Sequence, residues 1–159
     1  GGKNMAPRQH MRKMKVGKVT FTEAYKAVNE YRQKFPQKAV TFYAQNYPAM
    51  GWAVFMAGGS CPVIPCTDKA FLKDAAAMEV EETNTDEYKK MVKSDIGSII
   101  YSKSETEIPV QLSSGKYVLK YIHPVSGKIE TINKSLKIND LYNLKVPDKK
   151  EGIYWFHKL

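Results

Sequence analysis

The chain has 159 residues and a formal charge of +9, with 43% hydrophobic and 26% charged residues, an ordinary globular mixture long enough to bury a core in one or two domains. No apolar run reaches the ~18 residues that span a bilayer, and the longest, from Ala49 to Ile64, is broken by Gly58, Gly59 and Pro62. No apolar stretch follows the first basic residues, so the N-terminus carries no signal-peptide pattern, and an exported protein would have lost its signal before Gly1.

The charge is uneven. Residues 1–40 hold ten Lys or Arg against Glu23 and Glu30, which places +8 of the +9 in the first quarter. Residues 1–18 show no hydrophobic period and read as a basic extended arm. Such an arm can bind nucleic acid. No recognised binding motif accompanies it, and a solvated leader is the preferred reading.

Residues 19–95 read as a helix and strand segment. Thr20 or Thr22 starts a first helix, since Thr20 and Glu23 have the capping-box spacing. Phe21, Ala24, Tyr25, Val28 and Tyr31 form its apolar face, and Pro36 ends it. Ala39–Ala44 is a compact apolar run suited to a strand covered on both faces. Met50–Ala57 is a helix with no polar face, predicted to be buried and stopped by Gly58 and Gly59. Pro62–Pro65 reads as a second buried strand. Thr67 or Asp68 caps a third helix over KAFLKDAAAMEVEE, with a stripe of Phe71, Leu72, Ala75 and Met78. The alternation is βα-repeat grammar.

From residue 96 to 159 the pattern changes to short strand-like runs: SIIYS, IPVQL, KYVLKYI, GKIETI, SLKI and IYWFHKL. Turn signals separate them, at Ser113–Gly115, His123–Gly127, Ile138–Asp140 and Pro147–Gly152. Strands at this spacing predict a small antiparallel β-sandwich. The fold class expected is therefore α+β: a partial, barrel-like βα-repeat half followed by that sandwich.

In βα units the ligand side is the C-terminal end of the strands. This selects Gln45, Asn46 and Tyr47 after the first strand, and Cys66, Thr67 and Asp68 after the second. Tyr43 adds an aromatic face. Each has a plainer role: Asn46-Tyr47-Pro48 suits a helix start, and Asp68 suits an N-cap. Trp52 is expected in the core. Cys61 and Cys66 either close a small loop disulfide or remain buried thiols. His10, His123 and His157 are scattered and pair with neither cysteine, so no metal site and no cofactor are expected.

The stretch YPAMGWAVFMAGGSCPVIP resembles the last βα repeats of secreted glycoside-hydrolase-like (β/α)8 barrels of gut Bacteroidetes. The tail SGKYVLKYIHPVSGKIE resembles the small β-sandwich that follows such barrels and is often labelled collagen-binding. The similarity covers residues 36–159. Its turn signal is aromatic-x-Asp-Pro-x-x-Gly, here Tyr121 to Gly127 with His123 in place of Asp. The resemblance implies the C-terminal segment of an extracytoplasmic carbohydrate-active protein, secreted, periplasmic or at the cell surface. Where such barrels place a carboxylate after the penultimate strand, this chain has Gln45 and Asn46. Glycosidases need two flanking carboxyl groups. Glu79, Glu81 and Glu82 cluster at a helix end, where a solvated face explains them, so no catalytic residue is expected and the chain should not hydrolyse glycosides alone.

Two repeats cannot close an eight-stranded barrel. The chain is a piece of a longer polypeptide, or associates with itself or another chain, or folds its front half into a reduced layer on the sandwich. Polysaccharide binding at Tyr43, Gln45, Asn46, Tyr47 and Asp68 is the leading expectation, and a non-catalytic structural or protein-interaction module is the alternative.

Overall fold

The computed structural model describes residues 20–40, 48–60, 62–104, 107–147 and 150–159. Among the described residues three helices precede eight strands: α1 Phe21–Lys34, α2 Pro48–Met56, α3 Lys69–Ala77, β1 Glu79–Glu81, β2 Tyr88–Lys93, β3 Gly97–Ser102, β4 Glu107–Gln111, β5 Gly115–Ile122, β6 Ile129–Ile138, β7 Leu141–Lys145 and β8 Gly152–Lys158. The class is α+β, and every strand pairing is antiparallel.

The helices form where local chemistry demands them. The capping box of α1 is complete: the Thr20 N–H donates to Glu23 Oε2 at 3.0 Å, and the Glu23 N–H donates to Thr20 Oγ1 at 3.2 Å. Helix α2 ends in a Schellman pattern. Gly58 N–H donates to Phe55 O and Gly59 N–H to Val54 O, with Gly58 at φ +74°. Helix α3 stops at Ala77, five residues short of the expected Glu82. Three carboxylates near a helix C-terminus oppose its dipole. The chain instead turns extended at Met78 and becomes β1.

The sheet therefore begins at Glu79 rather than after residue 95. Its strand order is β1-β2-β3-β8-β5-β6. The boundary expected at 95/96 falls in the β2–β3 hairpin, so the first two strands belong with the sandwich. A two-stranded ribbon, β4 with β7, forms the second sheet. GKIETI and SLKI merge into the single long β6, and LYNLK supplies β7, which the sequence had not marked.

Alternation on the central strands builds two cores. Ile99 and Tyr101 of β3, Ile122 of β5, and Ile153 and Trp155 of β8 point to the helices. Ile100, Tyr117, Leu119, Tyr121, Tyr154 and Phe156 point to Ile108, Val110 and Leu144 of the ribbon. Helices, large sheet and ribbon thus make three layers. This explains the unbroken apolar run Ile153 to Phe156, because a strand buried on both faces shows no polar alternation.

The front half is built differently from the expected repeats. Pro62–Pro65 forms no strand, and Val63 is 77% exposed. Two prolines in four residues remove the amide donors that a buried strand needs. Of the expected strand at Ala39–Ala44, residues 41–44 lie outside the described residues. The helices lie as a layer on an antiparallel sheet. Trp52, as expected, is fully buried.

The turn after β5 locks that layer down. Trp52 Nε1 donates to Pro124 O at 2.8 Å. Gly127 sits at φ +72°, and a Cβ there would lie 2.3 Å from Pro65 O. We expect Gly127→Ala to cost more than about 2 kcal/mol, combining positive φ with a backbone clash, and Trp52→Phe about 1–2 kcal/mol through the lost hydrogen bond. Urea unfolding measures both; a neutral Gly127→Ala would show that the turn is not docked.

Buried phenols set an alkaline limit. Burial pushes Tyr25 up to about 12, and the Glu82 charge adds to the rise. Burial raises Tyr101 further, helped by its 2.5 Å hydrogen bond to Glu151, and raises Tyr121 and Tyr154 as well. A raised folded-state value favours the protonated fold, so this stability is complete below the unfolded tyrosine value of about 10. It is lost as pH climbs from there through 12. Phenolate absorbance should therefore rise in step with unfolding above pH about 10. Full ionisation of all tyrosines in a still-folded chain would contradict this.

Candidate functional site

Two concavities flank the helical layer. The larger, about 780 Å³, lies between α1, the end of α2, α3 and β1. Phe55, Leu72, Met78 and Met91 give it apolar walls, while Asn29, Arg32, Gln33, Glu79 and Glu82 bring amides and charges. Such a mixture of apolar surface with a few polar groups is the usual composition of a ligand groove.

Arg32 organises this groove. Its Nη1 donates to Ala57 O at 3.0 Å, satisfying a carbonyl at the C-terminal end of α2. Helix α2 has no basic residue in its own last turn. A cation from α1 meets the negative end of its dipole instead. Gly58 makes room, since a Cβ there would lie 2.2 Å from Nη1. The sequence signal was present, an arginine on α1 and an Ala-Gly-Gly stop, but their pairing spans 25 residues and no local pattern reveals it. Elsewhere on α1, outside the groove lining, exposed Tyr31 and Phe35 form an aromatic pair with ring centroids 4.8 Å apart.

Of the residues selected from sequence, Tyr43, Gln45, Asn46 and Tyr47 lie outside the described residues, as does Cys61. Val40 O accepts the Ser60 N–H at 2.7 Å, so the described residues on either side of that stretch are held together. Asp68 takes the capping role: its Oδ1 accepts the Phe71 N–H at 2.9 Å at the start of α3. It lines neither concavity. Cys66 is buried, which pushes its thiol up and leaves little thiolate for chemistry. Glu79 and Glu82 are exposed, as read from sequence, and they also edge the groove.

The smaller cleft, about 320 Å³, contains a pair that the sequence reading missed. Asp74 is 6% exposed, and its Oδ2 accepts from Trp155 Nε1 at 2.9 Å and meets His157 Nδ1 at 2.6 Å. Asp74 occupies the face of α3 that also carries Phe71, Ala75 and Met78, whereas Leu72, expected in that stripe, is 41% exposed. A buried carboxylate persists only with partners. Here two ring nitrogens from β8, more than 80 residues away in sequence, supply them.

An Asp–His contact can orient a general base. The cleft is lined by Lys73, Asp95, Ile96, Lys158 and Leu159, and the described residues there offer no serine, threonine or cysteine nucleophile. Among the described residues no group of three or more His, Cys, Asp or Glu could hold a metal ion. The pair instead fixes the last strand to α3.

His123 shows a similar economy. Its Nδ1 accepts the N–H groups of Val125 and Ser126, both at 3.3 Å. These are the backbone bonds an Asp side chain makes in an Asx-type turn.

Asp74→Ala should destabilise the fold by about 2–4 kcal/mol by stranding the Trp155 indole N–H, and Asp74→Asn, which keeps an acceptor, by about 1 kcal/mol. Denaturant unfolding followed by tryptophan fluorescence reads both. An alanine variant within about 0.5 kcal/mol of the parent would mean that the contact carries no stability.

Residues 1–78 match the family model of a domain of unknown function, DUF6298. The match ends at Met78, so it takes in all three helices and stops where β1 begins. No curated protein matches the chain.

Proposed function

We propose that this chain is the C-terminal segment of an extracytoplasmic carbohydrate-active protein, of the glycoside-hydrolase-like barrel kind, that binds a polysaccharide without hydrolysing it alone. The observation that carries this reading is the groove beside α1. It sets the Asn29 and Gln33 amides near apolar walls that include Phe55, and α1 carries the exposed Tyr31–Phe35 pair outside the groove lining. Sugars are held by aromatic faces against their C–H faces, with amides as hydrogen-bond partners. Tyr43, Gln45, Asn46 and Tyr47, which lie outside the described residues, are the further candidates taken from the sequence. The resemblance of residues 36–159 to barrel repeats and their terminal sandwich supplies the substrate class and the location. Among the described residues no helix is long and apolar enough to cross a membrane.

A second reading, a structural or protein-interaction module, is favoured by one observation. The largest aromatics, Trp52, Trp155, Tyr101, Tyr117 and Tyr154, are spent inside the two cores.

Affinity electrophoresis against a panel of neutral polysaccharides separates the two. The carbohydrate reading expects retardation by at least one polymer, weakened about tenfold, or ~1.4 kcal/mol, in Tyr31→Ala/Phe35→Ala or in Asn29→Ala/Gln33→Ala. No retardation by any polymer leaves the structural reading standing. Release of reducing sugar by the purified chain would overturn the non-catalytic clause.

A further inference from the structure

The helices cover only part of the large sheet. Their contacts reach Met91 on β2, Ile99 and Tyr101 on β3, and Ile153 and Trp155 on β8, with Ile122 at one end of β5. Beyond β8 the same sheet face continues onto β5 and β6. There it presents Lys116, Val118 and Lys120 on β5, with Lys137 directly opposite Lys116 and Thr131 directly opposite Lys120. Lys116, Lys137 and Thr131 are exposed, and Val118 and Lys120 are half-buried.

This half-face is strongly cationic. Of the five lysines from Gly115 to Ile138 the register places Lys116, Lys120 and Lys137 on it, whereas the one acid, Glu130, pairs opposite Tyr121 of the other face. The ion pairs of the described residues involve Lys128 but none of Lys116, Lys120, Lys134 or Lys137. Like charges directly opposite on neighbouring strands destabilise a sheet. Lysines on an edge strand are commonly a guard against strand pairing, which accounts for Lys134 and Lys137 on β6. It does not account for Lys116 and Lys120, because β5 is an interior strand between β8 and β6. Lys120 is further held in place, its ammonium 5.0 Å from the centroid of the Trp155 ring. Lys116, directly opposite Lys137, has no such partner among the described residues, and a like-charge pair kept without internal compensation is the mark of a surface shaped for something else.

We propose that this open half-face binds an anionic polysaccharide, its carboxylate or sulfate groups meeting Lys116, Lys120 and Lys137. Along β5 the first two lie about 13 Å apart, so the charges form a row for a polymer rather than a pocket for a single ion. The surface favours a polysaccharide over a nucleic acid. Single strands are gripped by stacking bases on exposed aromatics, and the aromatic ring in this region, Trp155, is fully buried. The polymer class rests on the carbohydrate reading above, but the site shares no residue with the groove.

The test is calorimetric titration of the full chain with heparin and with polygalacturonate at low and moderate salt. K116Q/K120Q/K137Q should weaken binding at least about tenfold and flatten its salt dependence, and K116R/K120R/K137R should retain binding. Neutralising Arg8, Arg12 and Lys13 in the N-terminal arm should leave most of the affinity. The proposal fails if the glutamine variant binds like the parent, if the arm variant alone abolishes binding, or if an oligonucleotide of equal charge binds more tightly through the same lysines. Circular dichroism confirms that each variant is folded. Asn29→Ala/Gln33→Ala should leave heparin binding intact, so loss of neutral-polymer binding in that variant strikes only the groove, and loss of heparin binding in the lysine variant strikes only this face.

Discussion

Everything in this structure turns on a strand with no solvent side. Strand β8 buries Ile153 and Trp155 against the helices and Tyr154 and Phe156 against the β4–β7 ribbon, all fully. A tryptophan in that position brings an N–H into a place without water, and leaving it unpaired costs about 1–3 kcal/mol. Asp74 is buried for that reason, and α3 lies where it does because Asp74 must reach Trp155. Phe71, one turn earlier, meets the same indole edge to face at 5.3 Å. Trp52 poses the same problem in α2 and solves it through Pro124 O, at the opposite end of the sheet. Two buried indoles therefore fasten the helical layer at two separated points.

These fastenings explain why the chain's two sequence textures do not correspond to two independent bodies. Phe21 stacks on Tyr101 at 4.3 Å, and Lys103 donates to Thr22 Oγ1 at 2.7 Å, so α1 is joined to β3 as well. Helices of nine residues are too short to persist alone in water, and α2 and α3 are both of that length. Their stability has to come from the sheet they cover.

What the sequence revealed follows the range of the interactions involved. The capping box at Thr20 and Glu23, the glycine stop after α2 and the turns around β5 act within a few residues, and they appear where the sequence placed them. The failures are equally physical. Glu79, Val80 and Glu81 read as a helix tail, but pairing with β2, which lies later in the chain, draws them into a strand, and the dipole penalty on their acids acts in the same direction. Pro62–Pro65 looks like a buried strand by hydropathy, yet lacks the donors to be one. The groove at Arg32 and the Asp74–His157 contact join residues 25 and 83 positions apart, where periodicity carries no information. His123 was a departure from a resembling motif on paper. In space its Nδ1 accepts the N–H groups of Val125 and Ser126.

The family match that ends at Met78 cuts across this cooperative unit. Inside residues 1–78, Phe71 and Asp74 are shaped by Trp155 and His157, and Pro65 by Gly127, all of which lie beyond it. A layer with these features needs a partner surface that offers an acceptor for the Trp52 N–H and an aromatic donor for Asp74. In this chain a six-stranded sheet supplies both, and it does so using only one half of one face. Among the described residues the helices meet β2, β3, β8 and one end of β5 on that face, where both anchoring tryptophans pack, and Lys116, Lys120 and Lys137 lie beside that contact.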